Sequence, residues 1–224
     1  MLIQVYEIAS PGEAAALSAM GVDHIGVLVG DGSFPRERSI GHAREIFDGI
    51  GAGAKACALI LSVQVSAIAA MARVLQPDIL HLGAAPELLS PADVAQLKAH
   101  FPNLPIMRSI PVVDEGSLAL ARAYEGVADL LLLDSHDPGD RQIGGLGIAH
   151  DWDLDRRIVA SARMPVIVAG GLGPDNVANA IRASRPAGVD SKTKTDRVDG
   201  SHTKDLQAVR AFIAAARAAS NVRA

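Results

Sequence analysis

A chain of 224 residues that is 49% hydrophobic yet only 3% aromatic, built largely from Ala, Val, Leu and Ile, has the composition of buried parallel strands flanked by alanine-rich helices. Its 21 basic against 25 acidic residues, a net charge of -4, leave no electrostatic footprint for nucleic acid or an anionic membrane surface. A single cysteine, Cys57, excludes an intramolecular disulfide and multi-cysteine zinc patterns.

No apolar run reaches the roughly 18 residues of a membrane span, and no signal-like segment precedes Leu2, so a soluble cytoplasmic protein is expected. Short apolar runs alternate with helical patterns along the whole chain, the signature of βα units on a parallel sheet. The run LIQVYEI (2–8) is followed by a helix that starts at Pro11, and HIGVLVG (24–30) by the loop DGSFPRERS and a helix over 40–50. ACALILS (56–62) leads to a helix over 65–75, and DILHLG (78–83) to one over 91–100. Cys57, inside the third run, reads as a buried core thiol.

PIMRSIPV (105–112) leads to a helix near 115–124, and ADLLLLDS (128–135) to a long loop ending near Gly147, then a helix over 153–162. The last two runs are PVIVA (165–169) and Gly188-Val189-Asp190, separated by a helical pattern through Ala183 and followed by a helix over 205–217. Eight strands with eight right-handed crossovers close into a barrel, so the expected fold is a single (β/α)8 TIM barrel domain spanning 1–224.

In such a barrel the chemistry sits at the C-terminal ends of the strands. Gly170-Gly171-Leu172-Gly173 and Ser191-Lys192-Thr193-Lys194 follow the last two strands. Glycine-freed backbone N–H groups, a helix N-terminus and lysines together suit a phosphate. Asp134 ends the sixth strand, where apolar walls can tune a carboxyl for general acid or base work; capping of the next loop is the structural alternative. Arg36, in SFPRERS, and Arg108, inside the fifth strand, are candidates to hold a substrate carboxylate through bidentate bonds. For Arg108 an internal partner is the competing reading, and alternation pairs it with Ile106 on one face without saying which face is inward. His81, in the fourth strand, joins the substrate-binding candidates, and His81, Asp134 and His136 form a minority metal reading. The main reading has no metal and no cofactor.

Several segments together resemble the phosphoribosylanthranilate isomerase family: LLLLDS, GGLGIAHDW, VIVAGGLGPDNVANAIRASRPAGVDS and the closing HTKD, with FPRERS similar to its serine–proline–arginine segment. The resemblance runs nearly end to end. It implies a barrel enzyme of tryptophan synthesis that converts an aminoaldose phosphate to an aminoketose phosphate. It also implies that Gly170, Gly171, Asp190 and Ser191 line the phosphate end, that Asp134 is the general acid, and that Arg36 lies near the anthranilate. Lys192 is added to the phosphate group on charge.

The opening strand departs from the family. Its lysine–isoleucine–cysteine–glycine, whose cysteine is the general base, is replaced here by Gln4-Val5-Tyr6-Glu7. The family's glutamine–leucine–histidine–glycine is His81-Leu82-Gly83, and the phenylalanine before Asp-Trp is His150. Tyrosine, with an ordinary pKa near 10, is a poor base at neutral pH. Glu7 is the alternative, but alternation turns it away from Tyr6 unless the strand ends first. The expectation is acid–base isomerase chemistry of altered specificity on a phosphorylated metabolite, with Asp134 and either Tyr6 or Glu7 as partners, and efficient family turnover is not expected. The rivals are a slow isomerase using Glu7, a non-catalytic phosphate-ligand binder and a metal-dependent aldolase or epimerase. The resemblance leaves a homodimer open.

Overall fold

Eight short parallel strands close on themselves in chain order in the computed structural model, which describes residues 1–137, 140–148 and 150–221. The strands are β1 (Leu2–Val5), β2 (His24–Val29), β3 (Lys55–Ile60), β4 (Ile79–Leu82), β5 (Ile106–Pro111), β6 (Leu130–Asp134), β7 (Val166–Val168) and β8 (Gly188–Ser191). Closure is made by β1 on β8, with Gln4 opposite Asp190 and Val5 opposite Ser191. This is the expected (β/α)8 barrel.

The helices are α1 (Pro11–Ala19), α2 (Ile40–Asp48), α3 (Val65–Leu75), α4 (Pro91–His100), α5 (Gly116–Ala123), α6 (Trp152–Ser161), α7 (Val177–Ser184) and α8 (Leu206–Asn221). Their starts are written locally. Ser10, Ser39, Ser90 and Asp151 accept N–H bonds from the first turns of α1, α2, α4 and α6, satisfying donors that have no partner within the helix. Pro11 and Pro91 occupy first-turn positions that need no N–H. No helix among the described residues is long and apolar enough to cross a membrane.

Alternation along the strands separates two cores. Outward residues such as Ile25, Val27, Leu80, Ile106, Leu131 and Val189 pack with Leu17, Ile46, Val94, Ile158 and Phe212 of the helices. Inward residues form a smaller cluster of Tyr6, Cys57, Ile79, Met107, Leu132, Ile167 and Ala169. The barrel is therefore plugged from below by side chains, and any ligand must sit above that plug, at the strand C-termini. Cys57 belongs to this plug, fully buried, as its apolar setting predicts.

Two boundaries differ from the sequence reading. Helix α8 runs to Asn221, four residues beyond the expected end at 217, since Ala215, Ala216 and Ala219 keep an apolar stripe on the barrel. Strand β1 stops at Val5 instead of continuing to Ile8. Glu7 takes φ +60°, a left-handed conformation unusual outside glycine. That early stop decides which way Glu7 points.

Candidate active site

The floor of the barrel mouth is a closed polar chain. Tyr6 Oη lies 2.6 Å from His81 Nδ1, and His81 Nε2 lies 2.8 Å from Ser109 Oγ. Burial holds the His81 imidazole down to about 3 and the Tyr6 phenol well above its usual range. A neutral ring satisfies both contacts, with the phenol donating to Nδ1 and Nε2–H donating to Ser109. The Tyr6 ring fills the hollow left by the missing side chain of Gly26, where a Cβ would collide with it. Both groups line the cavity, as expected of candidate site residues, with their polar atoms engaged with one another and with Ser109.

Above the floor stand the charged groups. Because the chain leaves β1 at Val5 and turns left-handed at Glu7, the Glu7 carboxylate enters the same cavity as Tyr6. Strict alternation would have sent it to the opposite face. It is ion-paired with Arg36 (Oε2 to Nε, 2.6 Å) and with Lys192 (Oε1 to Nζ, 2.9 Å). Arg36 is itself left-handed, at φ +68°. It rides on a loop organised by Glu37, whose carboxylate accepts from Gly32 and Phe34 N–H.

Asp134, the last residue of β6, faces this group across the cavity. Burial pushes its carboxyl up to about 6, against the opposing pull of the Ser135 N–H (2.8 Å to Oδ1), His150 and Lys192. The segment after β6 folds back over it. Ile143 N–H donates to Gly83 O, Gly144 N–H donates to Ser135 O, and any side chain at Gly144 would strike the Asp134 carboxylate. Gln142, Ile143, Gly144 and Gly145 thereby become walls of the cavity. Sequence reasoning noted this long loop after the sixth strand without singling out these residues; the adjacent glycines Gly144-Gly145 were the available signal, and both take positive φ. Leu28, Leu59, Leu61, Pro35 and Ile143 supply an apolar wall suited to an aromatic ring.

The cavity continues into a smaller recess lined by Asp134, Gly147, Gly170, Gly171, Lys192 and Thr193. Gly170 and Gly171 adopt φ +78° and +60°, and a Cβ on Gly171 would sit 2.6 Å from Gly147 O. Only glycine fits there. Asn176 ties the turn together, accepting from Gly173 N–H and donating to Gly171 O. Behind it a dyad that sequence reading missed joins His150 Nε2 to both carboxylate oxygens of Asp155 at 2.9 Å. Nδ1 of His150 would lie 2.5 Å from a Cβ at Gly170.

The structure also places three other candidates. Arg108 lies on the outer face of β5, fully buried, donating to Leu82 O (2.8 Å) and Leu89 O (3.4 Å) over the Tyr124 ring. It ties the β4–α4 loop to the barrel and does not line the cavity, because Met107 and Ser109 hold the inward positions. The Ser191 hydroxyl donates to Leu172 O at 2.7 Å, stapling the two loops, and its side chain is buried and not among the residues that line the recess. Asp190 lines both cavities, but burial and the nearby Asp134 push its carboxyl up to about 8. Its charged form would repel a phosphate, and that rise works against the charged form. Lys194 stands exposed, packed against Gly173, while Lys192 is within the cavity. Among the described residues no three His, Cys, Asp or Glu side chains are grouped to hold a metal, so the trio of His81, Asp134 and His136 is not assembled.

Known proteins resemble this chain in both sequence and fold. A family model for N-(5'phosphoribosyl)anthranilate (PRA) isomerase matches residues 50–215. The chain is 38% identical to an N-(5'-phosphoribosyl)anthranilate isomerase of Rhodopseudomonas palustris, over 91% of this chain and 89% of the relative. Its fold resembles the N-(5'-phosphoribosyl)anthranilate isomerase of Pyrococcus furiosus, with a TM-score of 0.78 and 23% identity over 97% of this chain and 99% of the other. It also resembles a phosphoribosyl anthranilate isomerase solved with reduced 1-(o-carboxyphenylamino)-1-deoxyribulose 5-phosphate. There the TM-score is 0.76 and identity 21%, with 97% of this chain and 100% of the other covered.

Proposed function

Since the chain belongs to the N-(5'-phosphoribosyl)anthranilate isomerase family, we propose that its barrel mouth converts the aminoaldose phosphate of anthranilate to the aminoketose phosphate, with Asp134 as acid and Glu7 as base. The observation that carries the residue roles is that these two carboxyls, from strand ends on opposite sides of the barrel, face one cavity. That cavity runs into a glycine-walled recess beside Lys192.

The chemistry follows from the geometry. The phosphate takes the recess between Gly170, Gly171 and Lys192, where backbone dipoles and one ammonium favour an anion. The aromatic ring lies against Leu28, Leu59 and Leu61, with its carboxylate toward Arg36. Asp134, which burial keeps inclined to hold its proton, gives that proton to the ring oxygen as the C1–O bond breaks, and the nitrogen lone pair forms C1=N. Glu7 then accepts the C2 proton. The C2–H electrons become the C1=C2 bond, and the C1=N pair returns to nitrogen, giving the enolamine. Loss of the C2 hydroxyl proton and protonation at C1 complete the ketone. Tyr6 takes no part in either transfer, its hydroxyl being committed to His81.

The test is turnover of N-(5'-phosphoribosyl)anthranilate by the purified protein and by Asp134→Asn. The variant should lose roughly 10²–10⁴-fold in kcat while still binding the reduced ketose analogue. Absence of turnover in the unaltered protein would refute the reaction, and loss of analogue binding in the variant would refute the acid role.

A further inference from the structure

Glu7 occupies the space between the two cations assigned above to the two anionic ends of the substrate. Its oxygens lie 2.6 Å and 3.2 Å from Arg36 Nε and Nη2, and 2.9 Å from Lys192 Nζ. The three residues come from the ends of three strands, and all of them line the cavity. The Glu7 and Lys192 side chains are only 12% and 13% exposed, so the contact is not a solvated surface pair of little consequence. Glu7 and Arg36 both hold left-handed backbone conformations, at φ +60° and +68°. Paired non-glycine residues in such conformations store strain, and strained residues cluster at ligand clamps.

We propose that in the empty protein the Glu7 carboxylate is an internal stand-in for the substrate's carboxylate and phosphate, and that ligand binding at Arg36 and Lys192 displaces it. Displacement frees Glu7 as a proton acceptor. This deepens the reading of Arg36, Lys192 and Glu7 given above and rests on it. Clamped between a guanidinium and an ammonium, both carboxylate oxygens are occupied and are not free to approach a C–H proton. Once the ligand's own anions satisfy those cations, Glu7 is left facing Asp134 and Asp190 across the cavity, with Lys204 the next cation behind it. It is then placed to take a proton from carbon. The base is switched off without substrate and on with it, and part of the substrate's binding energy goes into breaking the internal pair.

The arrangement predicts opposite signs for binding and turnover. Glu7→Gln removes the charge but keeps the size. Glu7→Gly removes the competitor and also relieves the left-handed backbone. Titration calorimetry with reduced 1-(o-carboxyphenylamino)-1-deoxyribulose 5-phosphate should show both variants binding about tenfold tighter than the unaltered protein, within the usual span of coupling between sites. Their kcat should fall by roughly 10²–10⁴-fold. Inorganic phosphate should also bind both variants more tightly, a readout that needs no turnover and therefore survives failure of the proposed reaction. Unchanged or weaker anion binding in both variants, with circular dichroism and Tm intact, would overturn the stand-in. Tighter binding with undiminished kcat would overturn the release of Glu7 as the base.

Discussion

The two sides of the barrel wall handle charge in opposite ways. On the helix side every buried charge described above is closed off by fixed internal partners. Arg108 is bound by Leu82 and Leu89 carbonyls, and Asp155 by His150. On the lumen side charge is left unbalanced. Burial pushes the Asp134 carboxyl toward protonation, burial and the nearby Asp134 push Asp190 the same way, and Glu7 is held by two cations that a ligand could take from it. Closed pairs hold the barrel, while open ones are available for chemistry.

The sharpest way to break that comparison is on the outer face of β5. Arg108→Ala should cost about 3–5 kcal/mol of unfolding free energy, since it opens a cavity, takes the side-chain donor from the buried Leu82 carbonyl and leaves Leu89 O to the Tyr124 hydroxyl alone. Urea denaturation would report the loss, while KM of the fraction still folded should stay unchanged. A KM shift without a stability change would return Arg108 to the site.

Asp190 is the converse case. Its folded carboxyl is raised to about 8, well above the usual unfolded value near 4, so the folded state holds a proton that the unfolded state has given up. Stability from this group is full below about pH 4 and declines as pH rises to about 8. Asp134 contributes in the same direction only up to about 6, so the interval from about 6 to about 8 belongs chiefly to Asp190. Asp190→Asn should therefore flatten the fall of stability over that interval and raise it at pH 8 by an amount on the order of 1–2 kcal/mol, read as a higher Tm. A Tm slope identical to that of the unaltered protein would show that Asp190 does not hold the proton.

How much of this was written in the sequence follows from the same division. Periodicity was enough for the barrel, because eight apolar runs separated by capped helices leave few other topologies. Asp134 and Gly170-Gly171 were legible, because a carboxylate or a glycine pair at the end of an apolar run has a fixed place in such a barrel. Glu7 was not, because its direction depends on β1 ending at Val5 and on one left-handed residue. The family pattern had glycine at this position, and that was the available hint. Arg108 was misplaced for a different reason. Period two sorts residues into two faces, but the chain alone does not say which face is the lumen. Met107 and Asp190 took the inward positions.

Ser191 gives the finest test of that sorting. Its hydroxyl bonds Leu172 O across the ends of β7 and β8, and so holds together the two loops that form the recess. If it were a phosphate ligand, Ser191→Ala would weaken phosphate binding and leave Tm alone. As a staple it should do the reverse, costing about 1 kcal/mol of stability for one buried hydrogen bond. Phosphate affinity should change less than threefold, since Gly170, Gly171 and Lys192 keep the recess. Ser191→Thr, which keeps the hydroxyl, should recover most of the stability provided its added methyl finds room in the outer core, where Val189 precedes it on the same face. Thermal unfolding and phosphate titration on the same two variants separate the roles, because each role moves only one of the two measurements.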